Sequence, residues 1–249
     1  MRILKAIIGR IMATWAALLF VATLLIFMVP FLLFCYYLPD PKKTYRFLQM
    51  ARVWMQVFLN GIGCPLRVTG RQHFKKGENY VVVCNHNSFM DVPISSPFIP
   101  GGNKTIAKVE MKKIPVFGLI YRTGSVLVDR KSEQSRKGSY TKMKNVLAMG
   151  LHMCLYPEGT RNKTEQPIKA FHDGAFRLSI ETGKAIIPAL IFNTRKVLPS
   201  SPTFYLMPHR LYFDFLAPMS PLPNETTAEF RDRVHKVMEA HYVQHYKNR

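Results

Sequence analysis

Val81-Val82-Val83-Cys84-Asn85-His86-Asn87-Ser88-Phe89-Met90-Asp91 is the stretch that decides the fold class. Its first residues are apolar and mostly β-branched, with no polar residue alternating among them, which reads as a buried strand. Asn85 ends the strand, and Asn87-Ser88 turn the chain into a short helix. His86 therefore stands at the carboxyl end of a strand, where open α/β sheets gather their ligands. The stretch Leu155-Tyr156-Pro157-Glu158-Gly159-Thr160-Arg161 repeats the design, an apolar run opening into a loop that carries Glu, Gly and Arg together.

Outward from these two stretches, β-rich runs fall at residues 66–69, 80–84, 105–109, 125–128, 153–156, 185–192 and 204–215. Helical patterns fall near 93–96, 114–121, 133–150 and 174–182. Strands alternating with helices predict an α/β domain over 63–249, a mixed β-sheet flanked by helices. Its last element opens with Thr226 and Glu229 in capping-box spacing and sets Phe230, Val234, Val237, Met238 and Tyr242 on one helical face. The linkers at 199–202 and 218–223 read as surface turns.

Hydrophobic residues make up 48% of the chain, which excludes a disordered protein. Lys and Arg number 35 against 15 Asp and Glu, a net charge of +20 that draws the molecule toward anions. A nucleic acid is not the expected partner: there is no RNP-like aromatic pattern, zinc-finger spacing or helix-turn-helix signal. Cys35, Cys64, Cys84 and Cys154 are scattered without a CxxC pair, which fits a reducing compartment and neither a disulfide framework nor a zinc site.

Residues 11–38 carry no charge, between Arg2, Lys5 and Arg10 on one side and Lys42, Lys43 and Arg46 on the other. A helix of that length covers about 42 Å, more than the roughly 30 Å of a bilayer's hydrocarbon. No small-x-small cleavage site follows and the downstream cluster is basic, so the segment reads as an anchor rather than a cleaved signal. Pro30 leaves a broken or re-entrant helix open beside a plain span. Asp40 and Pro41 read as N-cap and first helical residue, and Gly61 as the stop, of a basic amphipathic helix over 40–60. That helix is expected at the membrane surface with Trp54 near headgroup depth; packing on the soluble domain is the alternative. Residues 1–62 together form a membrane-anchoring helical segment.

A carboxylate on one imidazole nitrogen fixes the tautomer and frees the other nitrogen to take a proton, the chemistry His86 and Asp91 suggest. Gly159 permits a tight turn, and Arg161 offers a planar fork matched to phosphate oxygens. Lys108 and Arg130 fall at two further strand ends. If these strands are neighbours, a general base faces a cationic phosphate cradle; each residue alone is as compatible with a structural pair or a solvated surface charge.

Together these motifs resemble the 1-acylglycerol-3-phosphate acyltransferase family, within the wider glycerophospholipid acyltransferases. Residues 85–91 match its His-x4-Asp block, 123–130 its second block, 156–161 its third and 186–190 its fourth, in order, with similar spacer segments at 107–118 and 171–176. Asn87 stands where Gln is frequent and Asp173 where a basic residue is common. The resemblance implies that His86 is the general base, oriented by Asp91. It implies that Lys108, Arg130 and Arg161 hold the glycerol phosphate while Glu158, Gly159 and Thr160 shape its pocket. The implied reaction moves an acyl chain from acyl-CoA or acyl carrier protein to the free hydroxyl of lysophosphatidic acid. It needs no cofactor or metal, and His235, His241 and His245 read as a solvated face.

With no G-x-S-x-G elbow to host an acyl-serine, direct transfer is expected, with backbone N–H groups beyond Asn87 receiving the oxyanion. The site would face the cytoplasm at an anionic membrane surface. A lysophospholipid or lyso-ornithine lipid acceptor, and a non-catalytic membrane lipid-binding protein, are the alternatives.

Overall fold

The structure, a computed structural model, describes residues 2–129 and 132–246. Arg130, one of the expected cations, lies outside the described residues. In chain order the elements are α1 (Arg2–Phe34), α2 (Lys42–Gly61), β1 (Leu66–Thr69), β2 (Val81–Cys84), α3 (Asp91–Phe98), β3 (Asn103–Lys108), α4 (Phe117–Gly124) and β4 (Ser125–Val128). They continue with α5 (Glu133–Ala148), β5 (His152–Leu155), α6 (Gly174–Thr182), β6 (Ile186–Phe192), α7 (Thr194–Val197), β7 (Leu211–Phe215) and α8 (Thr227–Tyr246).

Among the described residues the strands form one sheet in the order β1-β7-β6-β2-β5-β3-β4. Strands β6, β2, β5, β3 and β4 run parallel, β7 is antiparallel to β6, and β1 is parallel to β7. This is the mixed sheet that the alternation of apolar runs and helical patterns predicts. The central strands are apolar throughout because helices cover both faces. Val82 and Cys84 of β2, with Cys154, Ile187 and Ile191, face the layer that holds α1, α2 and α3. Val81 and Val83, with Met153, Leu155 and Leu190, face α5, α6 and α8. Cys84 and Cys154 are buried on the first face with their sulfurs 3.8 Å apart.

The N-terminal helices share that first core. Phe20 of α1 meets Trp54 and Phe58 of α2 with ring centroids 5.3 Å away from it in each case. The Trp54 indole N–H donates to Thr23 Oγ1 at 3.0 Å. Trp54 is thus buried between the helices, with its N–H satisfied inside the hairpin. Helix α1 continues through Pro30, close enough to its end at Phe34 that little of the helical ladder is interrupted. Asp40 does not cap α2: its carboxylate accepts the Thr44 hydroxyl at 2.6 Å and pairs with Lys104 of β3 at 2.7 Å. Away from α2, α1 leaves Ile3, Leu4, Ile7, Ile11, Leu18 and Leu25 exposed, and the stretch Ile3–Phe34 is long and apolar enough to cross a membrane.

Two further expectations need correction. The run 204–215 is strand only over Leu211–Phe215, since Leu206 N–H donates to Gly9 of α1 and Met207 N–H to Val197 instead of to a strand. The capping box forms, with Thr226 N–H donating to Glu229 at 2.8 Å, but Val237 is 39% exposed and lies off the buried stripe of Phe230, Val234, Met238 and Tyr242. The short helix α7, expected nowhere, follows Asn193 at φ 69°.

Removing the indole tests this packing. Trp54→Ala should cost about 3–5 kcal/mol, the range for a buried large aromatic, read as a lower melting temperature in detergent. A loss within about 0.5 kcal/mol, typical of surface substitutions, would place Trp54 outside the core.

Candidate active site

The parallel strands deliver their carboxyl ends to one edge of the sheet, with β2 between β6 and β5. Asn85 clips the end of β2 to β6: its amide donates to Ile191 O at 3.0 Å and its oxygen accepts Ile191 N–H at 2.7 Å. The next residue, His86, is released into the loop. Its backbone N–H donates to Glu158 Oε1 at 2.7 Å, and its carbonyl accepts Asn162 N–H at 2.6 Å. The loop after β5 therefore holds the His86 backbone from both sides.

The imidazole Nδ1 lies 2.8 Å from Asp91 Oδ2, with the His86 side chain 18% exposed and that of Asp91 1%. The same oxygen accepts Asn87 N–H at 2.6 Å and Ser88 N–H at 2.7 Å. Three donors converge on that one oxygen, and an Asp91 that accepts from Nδ1 sets the tautomer in which Nε2 is the acceptor nitrogen. Asp91 stands at the first residue of α3. The His86 ring packs against Tyr156 with centroids 4.4 Å apart, and the Tyr156 hydroxyl meets Ser95 Oγ of α3 at 2.6 Å. Among the N–H groups beyond Asn87, that of Ser88 is committed to Asp91 and that of Met90 to Ser88 Oγ.

The loop after β5 brings Arg161 close to the end of the His86 loop. Its guanidinium carbon sits 3.5 Å from the centre of the Phe89 ring, and Phe89 is 69% exposed. Gly159 has φ 68°, and a Cβ there would lie 2.9 Å from His172 Cδ2, so both backbone and space demand glycine. Thr160 Oγ1 accepts the Lys169 ammonium at 2.8 Å. Lys108 is exposed at the end of β3, the neighbour of β5, on the same sheet edge. Glu158 does not present its carboxylate outward: it is buried, and its second oxygen accepts Lys169 N–H at 3.2 Å. Burial pushes its carboxyl up to about 7, against the opposing pull of the His86 and Lys169 backbone donors and the Lys169 charge.

Tyr156, Asn162, Lys169 and Phe89 were assigned no role from sequence. The first is an aromatic at a strand end beside a polar loop, which is a readable signal. The others act through backbone atoms or through contacts between distant loops, which no local pattern reports. Asp173 pairs with Arg231 of α8 at 2.6 Å. His241 lies 3.2 Å from Asp214, and no group of three or more potential metal ligands occurs among the described residues. An apolar groove opens beside α3, lined by Phe20, Leu48, Trp54, Val92, Pro97 and Phe117.

Residues 65–192, more than half of the chain, match the family model described as Acyltransferase. A Borreliella burgdorferi protein named 1-acyl-sn-glycerol-3-phosphate acyltransferase is 27% identical over 202 residues, covering 76% of this chain and 78% of its own. A Saccharomyces cerevisiae protein of the same name is 29% identical over 147 residues, and the match spans only 48% of its length and 58% of this chain. The crystal structure of PlsC from Thermotoga maritima, a 1-acyl-sn-glycerophosphate acyltransferase, superposes with a TM-score of 0.80 at 20% identity, covering 98% of this chain and 97% of that one. That likeness establishes a shared fold.

The raised Glu158 carboxyl has a consequence for stability. Its folded value near 7 exceeds the roughly 4.3 of an unfolded Glu. The native state therefore binds the proton more tightly, and stability falls as pH rises from about 4.3 to about 7. Glu158→Gln should remove this dependence, so the variant gains on the wild type in melting temperature between about pH 4.5 and pH 7.5. A difference that does not vary with pH would show that Glu158 is not strained by burial.

Proposed function

This chain belongs to the acyltransferase family, and from that premise we propose that it moves an acyl chain from a thioester to the free hydroxyl of 1-acylglycerol-3-phosphate. The observation that carries the proposal is the Nδ1–Oδ2 pair of 2.8 Å at the end of β2, beside a guanidinium delivered by the adjacent β5. The relatives' names supply the acceptor, and the donor is acyl-CoA or acyl carrier protein.

In this mechanism Asp91 holds His86 with Nε2 unprotonated. Nε2 takes the proton of the acceptor hydroxyl as its oxygen attacks the thioester carbonyl. The tetrahedral intermediate then collapses, the carbon–sulfur bond breaks, and the imidazolium returns the proton to the departing thiolate. General-base help of this kind contributes roughly 10²–10⁴ in rate. Holding both substrates at near-attack distance supplies about 7–11 kcal/mol of the barrier. Arg161, with Lys108 and Arg130, holds the acceptor's phosphate. Gly159 and Thr160 shape that pocket, while Glu158 supports it from behind by fixing the backbone of His86. The apolar groove beside α3 suits acyl chains, since it opens next to Val92 and Pro93, directly after Asp91.

Residues 1–62 act as the membrane-anchoring segment and 63–249 as the acyltransferase domain. An in-plane placement in one leaflet is supported by the packing of α1 from Gly9, against Leu206, to Phe31, against Phe47 of α2. Its outward face would meet lipid, and the surplus of cations would meet anionic headgroups on the cytoplasmic side.

Offering the purified protein a panel of lyso-acceptors with one labelled acyl thioester tests the reading; transfer only to lysophospholipids without a phosphate monoester, or to lyso-ornithine lipids, would replace the acceptor. His86→Ala should lower turnover at least about a hundredfold with the melting temperature kept. Arg161→Lys should mainly raise KM for the phosphate-bearing acceptor, because the bidentate fork is lost. An unchanged acceptor KM would end the phosphate assignment, and a trapped acyl-enzyme would end direct transfer.

A further inference from the structure

A second cavity flanks the His86 loop, walled by the loop after β5, the residues that follow β6 and the end of α8. It is a polar cleft at the ends of β6 and β2, and Asn87 forms part of its wall. Asn162 and Gln166 also line it, with Arg195, Lys196 and Tyr246. Asn87 follows His86 directly, and Asn162 donates its N–H to the His86 carbonyl at 2.6 Å, so the inner wall is built on the His86 loop itself. The apolar groove is lined by Val92 and Pro93, directly after Asp91, so both cavities border the segment that carries the imidazole–carboxylate pair.

A thioester carbonyl placed at His86 extends in two chemically different directions. One is a hydrocarbon chain; the other is a thiol carrier rich in amides and ending in a phosphate. We infer that the polar cleft holds the phosphopantetheine arm of the acyl donor, the part common to coenzyme A and acyl carrier protein, with Arg195 and Lys196 receiving its phosphate. This rests on the acyl-transfer reading and adds where the donor lies. Carboxamide and backbone groups in the wall match an arm that both donates and accepts hydrogen bonds. Arg195 is held in place by donating to Thr164 O at 2.8 Å. Its neighbour Glu165, 3.5 Å away, has a side chain 98% exposed, and solvent screens such a pair enough for a phosphate to compete. The Lys196 ammonium sits 5.2 Å above the Tyr246 ring, which orients it without neutralising it. Arg161 does not line this cleft, so the acceptor's phosphate and the donor's phosphate have separate cations.

The double variant Arg195→Ala/Lys196→Ala decides, with three donors of one chain length: an acyl-CoA, an acyl carrier protein thioester, and an N-acetylcysteamine thioester, which has no phosphate. The KM for the phosphate-bearing donor that the wild type uses should rise at least about tenfold, as expected for lost charge-assisted hydrogen bonds. The acceptor KM should not move, and the preference for the full donor over the truncated one should shrink by the same factor. Free 4′-phosphopantetheine should compete with the donor in the wild type and about tenfold less well in the variant; equal competition in both would assign the cations to the carrier protein's surface and overturn the arm assignment. A rise in acceptor KM instead, or an equal loss on all donors, overturns the inference while leaving acyl transfer intact. Arg195→Lys, which keeps the charge, should recover part of the donor affinity. If the wild type transfers from none of the three donors, the acyl-transfer reading itself fails.

Discussion

Everything at the site depends on the parallel pairing of β2 with β5 and β6. Parallel neighbours put their carboxyl ends at one edge, so the residues leaving β2, β5, β6 and β3 become neighbours although up to about a hundred positions separate them in sequence. An antiparallel partner at β5 would have sent Arg161 to the opposite edge from His86. The reversal of direction occurs only at β7, beyond β6, where no candidate site residue is carried.

Within that edge the small-scale organiser is the Asp91 carboxylate. One oxygen takes the imidazole and the N–H groups of Asn87 and Ser88, so the turn, the start of α3 and the tautomer of His86 are set by a single group. Glu158 performs the complementary task from the next strand, binding the backbone on either side of the sheet edge rather than facing substrate. Two carboxylates with different surroundings therefore do different work. Asp91 orients the imidazole, whereas Glu158 holds the His86 backbone, and burial raises its carboxyl to about 7.

The N-terminal helices join the domain rather than hang from it. Trp54, Phe20 and Phe31 belong to the same apolar cluster as Ile191 of β6, and the apolar groove beside α3 is walled partly by α1 and α2. The exposed apolar face of α1 and the apolar groove thus share a helix.

The apolar runs and their spacing were enough to identify an α/β domain, most of its strands, the pairing of His86 with Asp91 and the placement of Arg161 at a strand end. These are local: a buried strand announces itself by an unbroken β-branched run, and residues five positions apart across a turn can meet whatever surrounds them. The packing of Trp54, the truncation of the strand before Leu211, the inward aim of Glu158, the clamp from Asn162 and the polar cleft at Arg195 were decided by tertiary structure alone. Each depends on which elements lie side by side, and strand order is set by the burial of both sheet faces summed over the whole chain, a quantity that no single stretch contains.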